Sequence, residues 1–427
     1  MERLFTIIDK HQVISVTNKT LDYMDKRLVA HGKRVAFIVS EMLKVNTDRN
    51  INLNTDDAII MALFHDIGAY KTDEIDEMIQ IDCKDVWKHS VFGYMFLKNM
   101  SPMGDVSEAI LLHHIDYADY DKSESEFVDY AAIIHLADRF DILLNIQGSD
   151  ANIDLILKHS GTVYDPKFVD LLVKANPSKL AKALGDGSFE KTIEGELNAV
   201  DMTAETAFEF LKMMIFAIDF RSEHTVTHTI NTTGISMELG RLMNIPDEDM
   251  RKLYFGALLH DIGKIAIDVN ILEYEGKLTD DQMAEMRKHI IYTREIIEGL
   301  VDNEICEIAS RHHEKIDGTG YPEGLEGQIL SLPEKIVAVA DIVSALASKR
   351  SYKEAFEKEK TLEIIEDLSQ NNKISKEVSD VLINNYDEIM EVTNESKKPI
   401  MELYERMKNE YELLYNRIEK SVQGTME

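Results

Sequence analysis

Apolar residues recur every three or four positions through most of this chain. The pattern is clearest in DAIIMALFHDIG (57–68), KLYFGALLHDIG (252–263) and EKIVAVADIVSALAS (334–348). That spacing predicts amphipathic helices. No convincing set of alternating strands interrupts it, and only seven prolines break it. An all-α fold is expected. The stretch KKPIMELYERMKNEYELLYNRIEKSV (397–422) predicts a charged amphipathic helix near the C-terminus. That tail either packs back on its own domain or pairs two copies into a homodimer.

The helical pattern is written twice. LFHDIGAY (63–70) answers LLHDIGKI (258–265), and HLADRFDIL (135–143) answers AVADIVSAL (338–346). A further matching helix follows each, VYDPKFVDLLVKAN (163–176) and KISKEVSDVLINN (373–385). A repeat of this length reads as two tandem helical bundles, and 427 residues suffice for two cores. The first unit is placed at 1–185 and the second at 203–390. Glycines and a charge run in LGDGSFEKTIEGELNAVD (184–201) make 186–202 the expected linker, and 391–427 the helical tail.

The same repeat orders the histidines. The second unit carries His228, His260-Asp261, His289, His312-His313 and Asp341. The first carries His31, His65-Asp66, His89, His113-His114 and Asp138. Ten of the fourteen histidines fall in these two series, which turns a weak His-Asp doublet into an ordered set. Imidazole plus carboxylate is a ligand set for a hydrolytic transition-metal centre, and a helical bundle assembles one from facing helices.

Composition narrows the partners. The formal net charge of −31 argues against duplex nucleic acid. The N-terminus shows no secretory signal and the chain no run of eighteen apolar residues, so a cytoplasmic protein without a membrane span is expected. Only Cys83 and Cys306 are present, far apart, so neither a disulfide framework nor a Cys-based zinc site is expected.

HDIGK (260–264), HHEKIDGTGYP (312–322) and VADIVSALASKRSY (339–352) resemble the HD-GYP family, a branch of the HD phosphohydrolase superfamily. The resemblance covers essentially all of 203–390. It implies a phosphodiesterase of cyclic dinucleotides, chiefly cyclic di-GMP and in some members cyclic GMP-AMP, with two or three iron or manganese ions. Carried over, it makes His228, His260, Asp261, His289, His312, His313 and Asp341 the metal ligands, with Asp261 bridging. Paired divalent ions lower the pKa of bound water and neutralise phosphoryl charge. Lys264, one helical turn beyond His260, is expected to point into the same pocket as a catalytic residue that holds a phosphate oxygen or stabilises the leaving group, with Asp261 catalytic beside its ligand role. Asp317, Gly318, Gly320, Tyr321 and Pro322 form a turn-rich loop expected to line the substrate pocket and to offer contacts to signalling partners. Arg350 and Tyr352 are expected to touch phosphate or base, and Arg311 and Lys315 are weaker candidates. Three-metal members carry a Glu four residues before the first His. Here that position is His224, the candidate third ligand, and two metals are the default.

The first unit keeps the full series, so a second metal site at His31, His65, Asp66, His89, His113, His114 and Asp138 is expected. Ala69 replaces the lysine after HDIG, and the acidic HHIDYADYDKSESEF (113–127) replaces the GYP loop. That reads as a plain HD domain, regulatory or of other specificity. The leading function is hydrolysis of cyclic di-GMP to pGpG, and onward to GMP. The alternatives are hydrolysis of another phosphorylated nucleotide, cyclic GMP-AMP included, and a non-catalytic cyclic dinucleotide receptor.

Overall fold

The structure is a computed structural model that describes residues 7–23, 30–71, 87–123, 125–148, 153–219, 227–272, 274, 276–347 and 356–423. Among these the protein is helical, with no strand beyond isolated bridges such as Asp317–Glu326. No described helix is long and apolar enough to cross a membrane.

Contacts divide the chain into two units. One comprises Met24–Met213 with Met407–Glu427; the other comprises Met1–Tyr23 with Met214–Arg406. The same helices recur in each. In the first unit the His31 helix (His31–Lys44) packs on Thr55–Phe64 and on Val128–Gln147. In the second the His228 helix (His228–Leu242) packs on Asp247–Leu259 and on Leu332–Ala347. The apolar faces meet as the periodicity requires: Ile235, Leu239, Leu253, Ala257, Val339 and Val343 are buried together in the second unit.

Local chemistry sets the helix starts. Asn54 caps Thr55–Phe64 by accepting from the Asp57 amide, and Asp302 caps Asn303–Ser310 through the Glu304 amide. Thr279 and Gln282 form a reciprocal capping box for Asp280–Arg287, the short helix that leads into the His289 helix (His289–Ile297).

The expected linker at 186–202 is instead packed structure. Phe189–Ala199 is a helix whose Phe189, Ile193 and Leu197 are buried, and Phe189 meets Phe37 of the His31 helix at 5.9 Å. Those three residues share one helical face, an apolar stripe hidden among the charges of the segment. The boundaries at 185, 203 and 390 move with it. The first unit runs on to Met213, and the C-terminal helix begins at Tyr386 and continues to Gln423. Its first part joins the core of the second unit through Tyr386 and Ile389, while residues from Met407 onward belong with the first unit. The N-terminal helix Lys10–Asp22, expected in the first unit, packs on the His289 helix of the second.

Candidate metal centres

The second His-Asp doublet sits where a helix stops. Asp247–Leu259 ends at His260, and a 3₁₀ turn, Ile262–Ala266, starts immediately after Asp261. Gly263 makes that junction possible. A Cβ there would collide with the His289 carbonyl oxygen and the Thr293 amide, so glycine lets the His289 helix reach the doublet. The first unit repeats the arrangement: a Cβ on Gly68 would collide with the His89 carbonyl and the Gly93 amide.

Backbone carbonyls aim the imidazoles. Nδ1 of His260, His289 and His312 lies 2.7, 2.6 and 2.8 Å from the carbonyl oxygens of Ala257, Met286 and Ala309. A carbonyl can only accept, so each Nδ1 donates and each Nε2 keeps a lone pair facing inward. His228 is oriented differently, with Nδ1 3.1 Å from the Ser344 hydroxyl. Nε2 of His289 and of His312 is buried without a hydrogen-bond partner among the described residues. Nε2 of His260 lies 3.3 Å from Nε2 of His228. Inward-facing lone pairs this close require a cation or a proton between them.

The carboxylates divide between two sets of nitrogens. Asp261 Oδ2 lies 3.1 Å from Nε2 of both His228 and His260, whereas Oδ1 lies 3.5 Å from His289 and 4.0 Å from His312. Asp341 Oδ1 is 3.1 Å from His228, and its Oδ2 is 3.8 Å from His313. The donors thus form two triads, His228–His260–Asp261 and His289–His312–His313, each with its atoms within 4.8 Å of one another. Nitrogen and carboxylate donors in buried triads suit a divalent transition ion.

Electrostatics agree. Burial would raise Asp261, but His260 and Lys264 outweigh it and hold the carboxyl well below its ordinary range. Burial presses His289 down to about 3, so it stays neutral and free to ligate. His228 resists burial because Asp261 and Asp341 hold it up at about 9. Lys264 stands over the site with its ammonium 2.5 Å from Asp261 Oδ2.

The 312–322 segment folds against this cluster. The Tyr321 ring lies 4.8 Å from that of His313, and the Tyr321 amide donates to the His313 carbonyl. Gly318 adopts φ +75°, and a Cβ on Gly320 would strike the Glu314 and Lys315 backbone. Asp317 faces the loop itself: it accepts from Thr319 and pairs with Lys373 at 2.5 Å. Pro322 is exposed, as is Lys315. Arg311, a weak candidate for the pocket, is tied to Glu334 at 2.9 Å. His224, Arg350 and Tyr352 lie outside the described residues.

Two contributors escaped the sequence reading. Glu314 is buried, and its carboxylate accepts from the amides of Glu323, Gly324 and Leu325, which fastens the far side of the loop. Its signal was the HHE spacing, which puts an acid directly after the paired histidines. Arg287 lies over the Tyr321 ring, 4.9 Å from its centroid.

The first unit brings its series together in the same way. Asp66 Oδ2 is 3.6 and 3.2 Å from His31 and His65, and Oδ1 is 3.7 and 3.9 Å from His89 and His113. The triads are His31–His65–Asp138 and His89–His113–His114. What surrounds them differs. His31 Nδ1 rests on Asp141 at 2.7 Å, with Arg34 holding that carboxylate, where the second unit has Ser344. Arg139 occupies Asp138 Oδ2 at 2.6 Å. Burial alone would lower His31, but Asp138 and Asp141 hold it up at about 10. Ala69, at the lysine position, is buried, and backbone bonds from Tyr117 and Ala118 to Val163 and Thr162 fasten the acidic loop.

Residues 212–378 and residues 28–143 each match the HD domain family. The chain is 25% identical over 406 residues to 3'3'-cGAMP-specific phosphodiesterase 1 of Vibrio cholerae serotype O1, covering 88% of this chain and 92% of that protein. It is 30% identical over 243 residues to 3'3'-cGAMP-specific phosphodiesterase 3 of the same organism, of which it covers 53%. It is 37% identical over 172 residues to the cyclic di-GMP phosphodiesterase response regulator RpfG of Xanthomonas campestris pv. campestris, of which it covers 45%. The chain thus spans about half the length of the latter two. Among solved structures, a cyclic GMP-AMP specific phosphodiesterase of V. cholerae superposes with a TM-score of 0.54 at 18% identity, covering 88% of this chain and 97% of that one. That likeness establishes the all-α fold. Two family matches in series, each over a pair of clustered triads, show that the chain is a tandem of two HD domains.

Proposed function

We propose that this chain is a metal-dependent phosphodiesterase that opens cyclic dinucleotides at its second unit. One observation carries the reading: one oxygen of Asp261 faces His228 and His260 and the other faces His289 and His312, beside a lysine and a tyrosine. The leading substrate is cyclic di-GMP, opened to pGpG. The second is 3'3'-cyclic GMP-AMP, favoured because the relative that spans most of this chain is named for it.

His228, His260, Asp261, His289, His312, His313 and Asp341 would hold two divalent ions, iron or manganese. Such ions supply Lewis-acid charge to phosphoryl oxygens and lower the pKa of bound water. The protein's own contribution is orientation. Carbonyls of Ala257, Met286 and Ala309 fix three imidazole tautomers before any ligand arrives. Lys264 brings a positive charge to the mouth of the cluster, placed to meet charge that develops on the departing oxygen. Tyr321 closes one wall against His313 and narrows the approach. The loop of residues 317–325, its far side held by Glu314, would line that approach and offer a face to signalling proteins.

The first unit would hold a second centre through His31, His65, Asp66, His89, His113, His114 and Asp138. Without the lysine and the GYP loop it serves regulation better than turnover of the same substrate.

The test is anaerobic purification, loading with iron or manganese, and chromatography after incubation with each cyclic dinucleotide. Production of a linear dinucleotide, abolished by His260→Ala, is expected. Tight binding without turnover in the fully loaded protein would overturn the enzyme reading in favour of a receptor.

A further inference from the structure

Among the described residues, Arg287 stands apart from Arg294 and Arg311 near the second cluster. Arg294 is held by Glu323 at 2.5 Å and by Ser310, and Arg311 by Glu334, Glu307 and Glu323. Arg287 is exposed and makes no ion pair among the described residues. Its guanidinium lies over the ring of Tyr321, 4.9 Å from the centroid, and that ring lies 4.8 Å from His313. The helix Asp280–Arg287 ends on it, two residues before His289, so the backbone that aims a cluster histidine also fixes the arginine.

This placement puts a preorganised five-donor fork one side-chain layer outside the metal-ligand triads. A guanidinium packed on an aromatic face keeps its N–H edge free for a planar or anionic acceptor. The scissile phosphate belongs at the triads, and Arg287 meets them by way of the Tyr321 ring, 4.9 Å from its guanidinium carbon and 4.8 Å from the His313 ring. A cyclic dinucleotide carries a second phosphodiester, and in a chain of net charge −31 that anion needs a local cation. Lys264 is drawn inward to Asp261 and serves the inner phosphate.

We infer that Arg287, stacked on Tyr321, binds the phosphate of the cyclic dinucleotide that is not being cut. The inference rests on the phosphodiesterase reading of the second unit. It makes Arg287 a substrate-binding residue that selects ligands with two phosphodiesters over those with one.

The test compares cyclic di-GMP, 3'3'-cyclic GMP-AMP and cyclic di-AMP with bis(p-nitrophenyl) phosphate, a diester with a single phosphate. In Arg287→Ala, kcat/KM on the cyclic substrates is expected to fall roughly tenfold to hundredfold further than on the single-phosphate diester, mainly through KM. Arg287→Met keeps an apolar stem on Tyr321 and is expected to fall as far as alanine. Arg287→Lys keeps the charge and is expected to recover part of the loss. Equal losses on single- and double-phosphate substrates, or full activity in Arg287→Met, would overturn the assignment. So would a loss confined to guanine-bearing substrates, which would make the base edge the partner. A wild-type protein that hydrolyses bis(p-nitrophenyl) phosphate but no cyclic dinucleotide overturns the function reading itself. Wild-type turnover of a cyclic substrate with an unchanged Arg287→Ala overturns the arginine's role alone.

Discussion

The amide of Gly263 donates to the hydroxyl of Thr293 at 3.0 Å, and that hydroxyl donates on to the carbonyl of His260 at 3.1 Å. One buried side chain therefore ties both ends of the His-Asp turn to the helix that carries His289. Thr293→Val keeps the volume and removes both bonds. Leaving a buried amide and carbonyl unmet costs about 1–3 kcal/mol each. The variant is expected to unfold at lower denaturant and to retain less metal. Gly263→Ala is expected to be worse, since its Cβ meets the His289 carbonyl. Urea titration of both variants with parallel metal analysis checks this. An unchanged midpoint in Thr293→Val would mean that the turn holds without the bridge.

Glu314→Gln tests the loop anchor. The carboxylate accepts three backbone amides at 2.6 to 3.1 Å, and glutamine offers one acceptor oxygen and an opposing NH₂. Hydrogen bonds to a buried charge contribute about 1.5–3 kcal/mol. KM for the cyclic dinucleotide is expected to rise about tenfold, with bound metal retained and residues 323–325 exchanging amide hydrogens faster. Loss of metal instead would show that Glu314 acts on the histidines and not on the loop.

The repeat and the histidine series were legible in the sequence because both rest on local features: a 3.6-residue period and fixed gaps between rare residue types. Partner choice at long range was not. Nothing in the neighbourhood of Phe189 announces that its stripe will meet Phe37, because charges on three sides of the helix disguise an apolar fourth. The partners of Glu314 and of Arg287 were invisible for a related reason. One matters through loop amides nine to eleven residues away and the other through a ring thirty-four residues on. Neither relation has a sequence period.

Metal removal should give opposite pH responses in the free and loaded second unit. In the metal-free protein His228 is held up at about 9, above its ordinary 6.5. Its contribution to stability is therefore fully present below about 6.5 and is lost as pH rises through about 9. A bound ion must displace that proton, so metal affinity rises with pH over the same window. Thermal melts from pH 6 to 9.5, with and without chelator, are expected to slope downward for the chelated second unit and upward for the loaded one. Parallel slopes would mean that His228 is not among the ligands.

The terminal helices brace equivalent positions in the two units. Three residues after His289, Tyr292 meets Tyr23 at 5.8 Å, and the Tyr23 hydroxyl donates to Glu295 at 2.8 Å. Three residues after His89, Phe92 stacks on Tyr411 at 4.2 Å and 15°. Each histidine-bearing helix thus meets, one turn past its histidine, an aromatic side chain from the first or the last helix of its unit. A contact of this kind contributes about 0.5–1.5 kcal/mol beyond the area it buries. Tyr411→Ala is expected to lower metal retention at the first centre and leave the second centre's retention intact, and Tyr23→Ala to do the reverse. Metal retention is read in backgrounds where the other centre is disabled, His260→Ala for the first and His65→Ala for the second. A loss in both backgrounds from either substitution would show that the terminal helices act on the whole chain and not on the helix each meets.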